Sequence, residues 1–501
     1  MKVFNYIIEI GWLLIFAFSP VFFAPFVHGT WQIGESFLFQ VLVEILCFVW
    51  IIKLIGTPVR LWRTGQALEH WNPSPPLADG AGIGTLKKIF LKLKPVLPAI
   101  IFIFILGLAA IFSQSFHYSF WGYYSRKMGY LIWLHFFIFF LILFFNLKTK
   151  KQIARIFYII TLTASLVVIY GFLQVFGFDF FNWSEPPSLG YRVFSTLGQP
   201  NFLASWLLLS FPAVLWIIFR YSSQHHLKAP LFSTFKKEKK EHLDKTTNTS
   251  FLKKVFFRPI FVCLSLLTVI ILVLTQSRGG WIGFFLALFF FIIIFSWQKN
   301  QKRLAILLFI FLVLFSFFIL ALNMSPLQIR PTDHLLTARV KTLSHLTDAG
   351  RLRFIWWQNS FDLIKQKPVL GFGPETQHLN FPQYYEPEYA ALEGINQMPD
   401  RAHNDILDMT LMSGILGLIS YLFLIFWVFF SGLKYIFQKS HSEFKVYSLR
   451  FIVLVLLAGL TGYLISLQFS FHVIPTAVYF WGYLAIILNI ISTKQQALNN
   501  K

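Results

Sequence analysis

The stretch Asp400-Arg401-Ala402-His403-Asn404-Asp405 stands directly before a long apolar run and places a guanidinium, an imidazole and a carboxamide within four residues. An ordinary helix N-cap accounts for Asp400 or Asn404. It does not account for Arg401 and His403, since polar groups at a membrane boundary cost desolvation unless they are used or paired. A second such position is "LTQSRGGWIG", where Arg278 lies in a short turn between two apolar runs. A guanidinium there either snorkels to the interface or is paired, and Gly279 and Gly280 allow close backbone approach. A third is "GYRVFSTLGQPNFLASW", in which Arg192 precedes a Gly198-Gln199-Pro200-Asn201 turn that opens a helix. Proline at a helix start is ordinary, whereas Asn201 in the first turn is free to bond a ligand or another helix. Arg351 and Arg353 stand two residues apart in a helical pattern and point in directions about 200° apart. Only one of them aims at a given pocket, and Arg353 is the favoured one.

Arginine forks match phosphate oxygens bidentately and stay charged at physiological pH. Histidine suits general-base work near neutrality. The chemistry that fits Arg192, Arg278, Arg353 or Arg351, Arg401 and His403 together is attack by an acceptor hydroxyl on a diphosphate-linked carbon, with arginines stabilising the departing diphosphate. No Asp-x-Asp occurs in the loops on that side, and Walker A, H-E-x-x-H and G-x-S-x-G patterns are absent from the sequence. The expectation is therefore a reaction with no metal and no cofactor. Nucleotide-activated sugars are cytoplasmic, so an outward-facing transferase needs a lipid-carried donor.

The elements that position these residues are membrane helices. The 501-residue chain is 56% hydrophobic and 19% aromatic, with 62 Phe, far from a soluble domain. Twelve apolar runs have spanning length: nine precede residue 324 and three follow residue 405. With both termini inside, 30 of the 43 Lys and Arg fall in cytoplasmic segments, as the positive-inside rule requires. The net charge of +22 is then topological and faces anionic inner-leaflet lipid, so nucleic-acid binding is not expected. Cys47 and Cys263 both lie in apolar runs, which excludes a disulfide framework or a cysteine metal site. The first run lacks a small-residue cleavage site and reads as a retained helix. The predicted organisation is 1–323 for helices one to nine, 324–405 for a large, partly helical periplasmic loop, and 406–501 for the last three helices and a short tail. Residues 221–258 are charged and read as a solvated cytoplasmic insertion. Within the large loop, "DAGRLRFIWWQNSFDLIKQKP" reads as a helix that begins near Asp348 and stops before Pro368, with Trp356 and Trp357 at the membrane interface, and "PVLGFGPET" reads as a tight turn.

Four stretches in order, "GQPNFLASWLLL", "TQSRGGWIG", "RLRFIWWQNSFDLIKQKPVLGFGPET" and "RAHNDILDMTLMSGILGL", resemble the O-antigen ligase and polymerase superfamily of bacterial inner-membrane proteins. The resemblance implies an all-α, polytopic, GT-C-like glycosyltransferase that takes a glycan from undecaprenyl diphosphate on the periplasmic face, without a metal. It matches Arg278 to the family's arginine beside the membrane, Arg353 or Arg351 to the arginine heading the outer-loop helix, and His403 to the histidine proposed as base. Arg192, Arg401, Asn201 and Asn404 are then supporting substrate contacts. The acceptor stays open: lipid A core sugar for a lipopolysaccharide ligase, another glycan repeat for a polymerase, or a protein side chain for an oligosaccharyltransferase. A transporter or flippase of the same lipid-linked glycan is the rival in another class; it needs a basic cavity but no base.

Overall fold

The computed structural model describes residues 2–22, 32–63, 93–124, 126–180, 192–223, 245–307, 309–310, 348–385, 398–438 and 448–499. Among these, the regular structure is helical and contains no strand. The helices are α1 (Lys2–Phe18), α2 (Gln32–Arg63), α3 (Leu97–Ile111), α4 (Phe116–Trp121), α5 (Tyr130–Asn146), α6 (Lys150–Val175) and α7 (Pro200–Ser223). They continue as α8 (Lys245–Leu274), α9 (Arg278–Gln298), α10 (Asp348–Gln366), α11 (Asp405–Phe437), α12 (Leu449–Ser466) and α13 (Ile474–Asn499). Eight helices among the described residues are long and apolar enough to cross a membrane, and Tyr130–Asn146 and Pro259–Leu274 are shorter apolar helices. The protein is a polytopic, all-α membrane protein. Helix is the form these runs must take, because hydrocarbon offers no partner for an unpaired backbone group.

Eleven of the twelve apolar runs coincide with helices; the run at 304–323 lies mostly outside the described residues, as do 324–347 and 386–397 of the large loop. Within the segment read as a charged insertion, residues 224–244 lie outside the description, and α8 begins at Lys245 and runs on into the apolar stretch that follows.

Helix α13 forms the centre of the bundle, and residues 471–488 are buried without interruption. It packs on α5, α7 and α11, while α9 packs along α12. Helices α9 and α12 meet at glycines: a Cβ on Gly283 would fall 2.4 Å from the Gly462 carbonyl oxygen, the close approach that small residues permit between membrane helices. Local sequence sets where helices start. Thr149 and Gln152 form a capping box at α6, and Ser277, Asn404 and Ser448 cap α9, α11 and α12 through their side chains.

Helix α11 is broken one quarter of the way along, at Gly414 (φ 64°, ψ −169°). A break frees carbonyls and N–H groups that cannot stay unpaired at membrane depth. The segment after α10 supplies the partners. Phe372 and Gly373 donate to the carbonyls of Leu411 and Met412 at 2.8 and 3.0 Å, and Ile415 and Leu416 donate to those of Pro368 and Val369 at 2.8 and 3.4 Å. "PVLGFGPET" is thus a strap, buried from Gly371 to Thr376, that clasps a broken helix. Gly371 and Gly373 both have positive φ, and any Cβ on them would strike α11 or the α3–α4 corner.

The clasp predicts an asymmetry among glycines. Gly414→Ala puts a Cβ 2.1 Å from the Val369 carbonyl oxygen at positive φ and should cost at least about 2 kcal/mol. Gly177→Ala also has positive φ but meets nothing within 4 Å, so it should cost about 1 kcal/mol. Thermal unfolding of both variants in detergent checks this: equal losses would show that the clasp does not hold α11.

Candidate functional site

The loop 398–404 is fixed from several directions before it delivers a histidine. Asn404 caps α11, accepting from the Leu407 N–H at 3.1 Å, and donates to the Gln468 carbonyl at 3.1 Å. The Ala402 N–H donates to Asp408 Oδ1 at 2.8 Å, and its carbonyl accepts from Trp357 Nε1 at 3.0 Å. Held on both sides, His403 adopts φ 55°, a left-handed conformation that a non-glycine residue enters only when its neighbours dictate it. Its ring lies 5.0 Å from that of Trp356 and 5.2 Å from that of Phe471, between centroids. Trp356 is buried and Trp357 half-buried, and both contact the site loop.

The tautomer follows from hydrogen bonding. His403 Nδ1 is 3.1 Å from the Arg401 carbonyl oxygen, which only accepts, so Nδ1 carries the proton and Nε2 keeps its lone pair. Burial, aided by the charges of Arg353 and Arg126 and opposed by Asp400 and the bond to Arg401, lowers the imidazole to about 4. The ring is neutral at physiological pH, with a basic nitrogen available.

Arg353 is half-buried on α10 while Arg351 is exposed. Burial and the charge of Arg278 both lower the Arg353 guanidinium below its ordinary value. That influence and its effect on His403 place Arg353 within electrostatic reach of both. Arg278 opens α9 after the Ser277 cap. A cation at a helix N-terminus opposes the helix dipole, and the combination of dipole and guanidinium suits an anion. Gly279 and Gly280 seat the turn: a Cβ on Gly280 would fall 2.6 Å from that of Ala204 on α7, and one on Gly279 3.1 Å from that of Phe469.

Two expected contacts are tied to each other. Arg192 Nε donates to the Thr275 carbonyl at 2.9 Å and its Nη2 to Asn201 Oδ1 at 3.2 Å, stitching the start of α7 to the turn that carries Arg278. Arg401 is buried, paired with the buried carboxylate of Glu375 and set 5.2 Å over the Phe471 ring. Burial lowers it to about 10, so it remains a cation at neutral pH. Sequence reasoning missed Glu375, Phe471 and the pair Arg126 and Asp400, which meet in an ion pair. The available signal was Arg126-Lys127 itself, a basic pair in a short segment on the side where the positive-inside rule disfavours it. Below the site, Asp405, Tyr421, His472, Tyr463 and Thr476 form a buried hydrogen-bonded chain. Among the described residues no group of three or more His, Cys, Asp or Glu is placed to hold a metal ion.

Residues 263–422 match the family model described as O-antigen ligase. The matched segment carries Arg278, Arg351, Arg353, Arg401, His403 and Asn404, together with the whole clasp of α11; Arg126, Arg192 and Phe471 lie outside it. No curated protein matches the chain. The match supports the O-antigen ligase superfamily and, with the apolar helices, a multi-pass membrane glycosyltransferase of the O-antigen ligase and polymerase type in general.

The Arg401–Glu375 pair carries a stability prediction. Glu375→Gln leaves a buried guanidinium without its counter-charge and should cost about 3–5 kcal/mol, while Glu375→Leu combined with Arg401→Met should cost much less. Thermal melts of the single and double variants read the difference, and a double variant no better than the single would contradict a buried pair.

Proposed function

We propose that the chain transfers a glycan from a polyprenyl diphosphate carrier to an acceptor hydroxyl, with His403 as base and Arg278 and Arg353 as the diphosphate clamp. The observation that supports this reading is the packing of α10 and the start of α9 around the imidazole: Trp356, three residues after Arg353, has its ring 5.0 Å from that of His403, and a Cβ on Gly279, next to Arg278, would fall 3.1 Å from that of Phe469, two residues before the Phe471 ring that meets His403. Two guanidiniums held near one another repel, and an anion between them removes that cost. A neutral imidazole with a free Nε2 completes the requirement.

The step balances as a displacement. The acceptor oxygen forms its bond to the anomeric carbon while His403 Nε2 takes the hydroxyl proton. The bond from that carbon to the diphosphate oxygen breaks, and its electron pair leaves on the diphosphate, stabilised by Arg278, Arg353 and the N-terminus of α9. Guanidinium charge thereby fills the role a divalent cation plays in other transferases. Arg192 with Asn201 holds the Arg278 turn, and Arg401 with Asn404 holds the His403 loop, so these four act by position.

A lipid-linked donor has support from a small apolar groove between α7, α9 and α12, lined by Pro212, Phe284, Leu288, Phe291, Ala458 and Gly459. Phe284 is six residues from Arg278 along α9, about 9 Å at the helical rise, a natural run for a polyprenyl chain whose head group is clamped above. The distribution of Lys and Arg puts this end of the bundle outside the cytoplasm, in a bacterial inner membrane. The acceptor is a hydroxyl of another glycan, of lipid A core or of a protein.

Glycan transfer by purified protein tests the reading, with a polyprenyl-diphosphate oligosaccharide and candidate acceptors. His403→Ala and Arg278→Ala should each lose roughly a hundredfold or more, the scale of a lost base or charge-stabilising donor. Movement of the lipid-linked glycan across liposomes by fully active His403→Ala, with no transfer, would make the protein a transporter. The pH profile adds a sign. Arg353 and Arg126 depress the imidazole, and bound diphosphate offsets them, so the acid limb of kcat should lie at higher pH than that of kcat/KM, whose limb belongs near pH 4. Coincident limbs would contradict a diphosphate bound beside His403.

A further inference from the structure

A base must become a cation, and this site is poorly disposed to allow it. His403 is enclosed by Trp356 and Phe471, and the charges acting on it besides Asp400 are the guanidiniums of Arg353 on α10 and Arg126 from the segment before α5. Arg353 itself feels the charge of Arg278, and the remaining cation of the loop, Arg401, is paired with Glu375. The other carboxylates nearby are committed: Asp405 to Tyr421 and His472, and Asp408 to the Ala402 N–H. Asp400 is different. It stands three residues before His403, is paired with Arg126 and exerts a favourable charge on the imidazole. Burial pushes its carboxyl up, but Arg126 and His403 outweigh that and hold it ionised.

Arg126 is itself well placed to fix this carboxylate. Its backbone N–H donates to the Tyr123 carbonyl at 3.1 Å, and its guanidinium lies 4.3 Å over the Phe471 ring, the same ring whose edge meets His403. One aromatic side chain thus spaces the guanidinium from the imidazole, a cation–π arrangement that holds Arg126 on Asp400.

We propose that Asp400 is a positioning residue for His403, held ionised and in place by Arg126, and that its carboxylate stabilises the imidazolium formed when the acceptor hydroxyl gives up its proton. The site is therefore completed by a segment well outside the residues matched to the O-antigen ligase family. The role in transfer rests on the glycosyltransferase reading; the charge coupling among the three side chains does not.

The two members of the pair act on His403 with opposite sign, which a merely structural role would not reproduce. The test is direct titration of the His403 imidazole by NMR of histidine-labelled protein in detergent, with the signal assigned by its loss in His403→Gln. That assignment also separates it from His378, whose imidazole Asp400 influences as well. Asp400→Asn should move the midpoint down and Arg126→Gln should move it up, each by about one pH unit, with the double variant near wild type. Asp400→Glu, which keeps the charge, should stay near wild type even if it loses some stability. Shifts of the same sign, no shift, or equal effects of Asp400→Glu and Asp400→Asn would overturn the proposal. In transfer assays the matching result is a fall in kcat for Asp400→Asn of at least tenfold with little change in the KM for donor; a rise in KM with unchanged kcat would also overturn it. Titrations that move as expected in a protein that transfers no glycan would leave the coupling standing and remove the glycosyltransferase reading alone.

Discussion

The unpaired backbone at the break in α11 is the constraint from which the rest of the site follows. At membrane depth, carbonyls and N–H groups around Gly414 need partners, and the strap from Pro368 to Gly373 provides them through four hydrogen bonds. The strap is the continuation of α10, and the broken helix begins two residues after His403. Satisfying the backbone therefore also ties the helix bearing Arg353 to the helix whose cap presents the imidazole. Ser119 extends the tie to α4 by donating to the Pro374 carbonyl at 3.0 Å, and Arg126 reaches the site from the loop that follows α4.

Charge is the second organising feature. The site gathers Arg126, Arg278, Arg353 and Arg401 around a histidine kept neutral by burial. Each arginine outside the proposed clamp has an acidic partner: Arg401 has Glu375, and Arg126 has Asp400. The partners let cations be packed at a membrane boundary without unfolding it, since a buried charge is tolerable when paired. Arg278 stands at the N-terminus of a 21-residue helix, whose dipole adds positive potential where the proposed reading puts a leaving diphosphate.

Much of this was legible in the sequence where the controlling interaction is local. Apolar runs gave the helices because length and hydropathy decide membrane spans. Asn404 reads as a cap from its position alone, and helical geometry is enough to say that Arg351 and Arg353 do not share a pocket. What was not legible depends on long-range pairing. Arg126 and Asp400 are 274 residues apart, and nothing local distinguishes Arg126 from an interfacial basic residue. Glycines at 371, 373 and 414 signal turns, but that two of those turns interlock as a clasp is a tertiary fact. Arg192 and Asn201 suit a ligand by type; that they also bond to each other, and Arg192 to Thr275, is again a tertiary fact.

The account turns on where a diphosphate sits. The most direct measurement is a structure of the protein in lipid with a non-hydrolysable polyprenyl diphosphate glycan bound. The account predicts both phosphorus atoms between Arg278 and Arg353, the polyprenyl chain running along α9 toward Phe291, and His403 Nε2 facing the anomeric carbon. Diphosphate density elsewhere, with Arg278 and Arg353 contacting only protein, would contradict it.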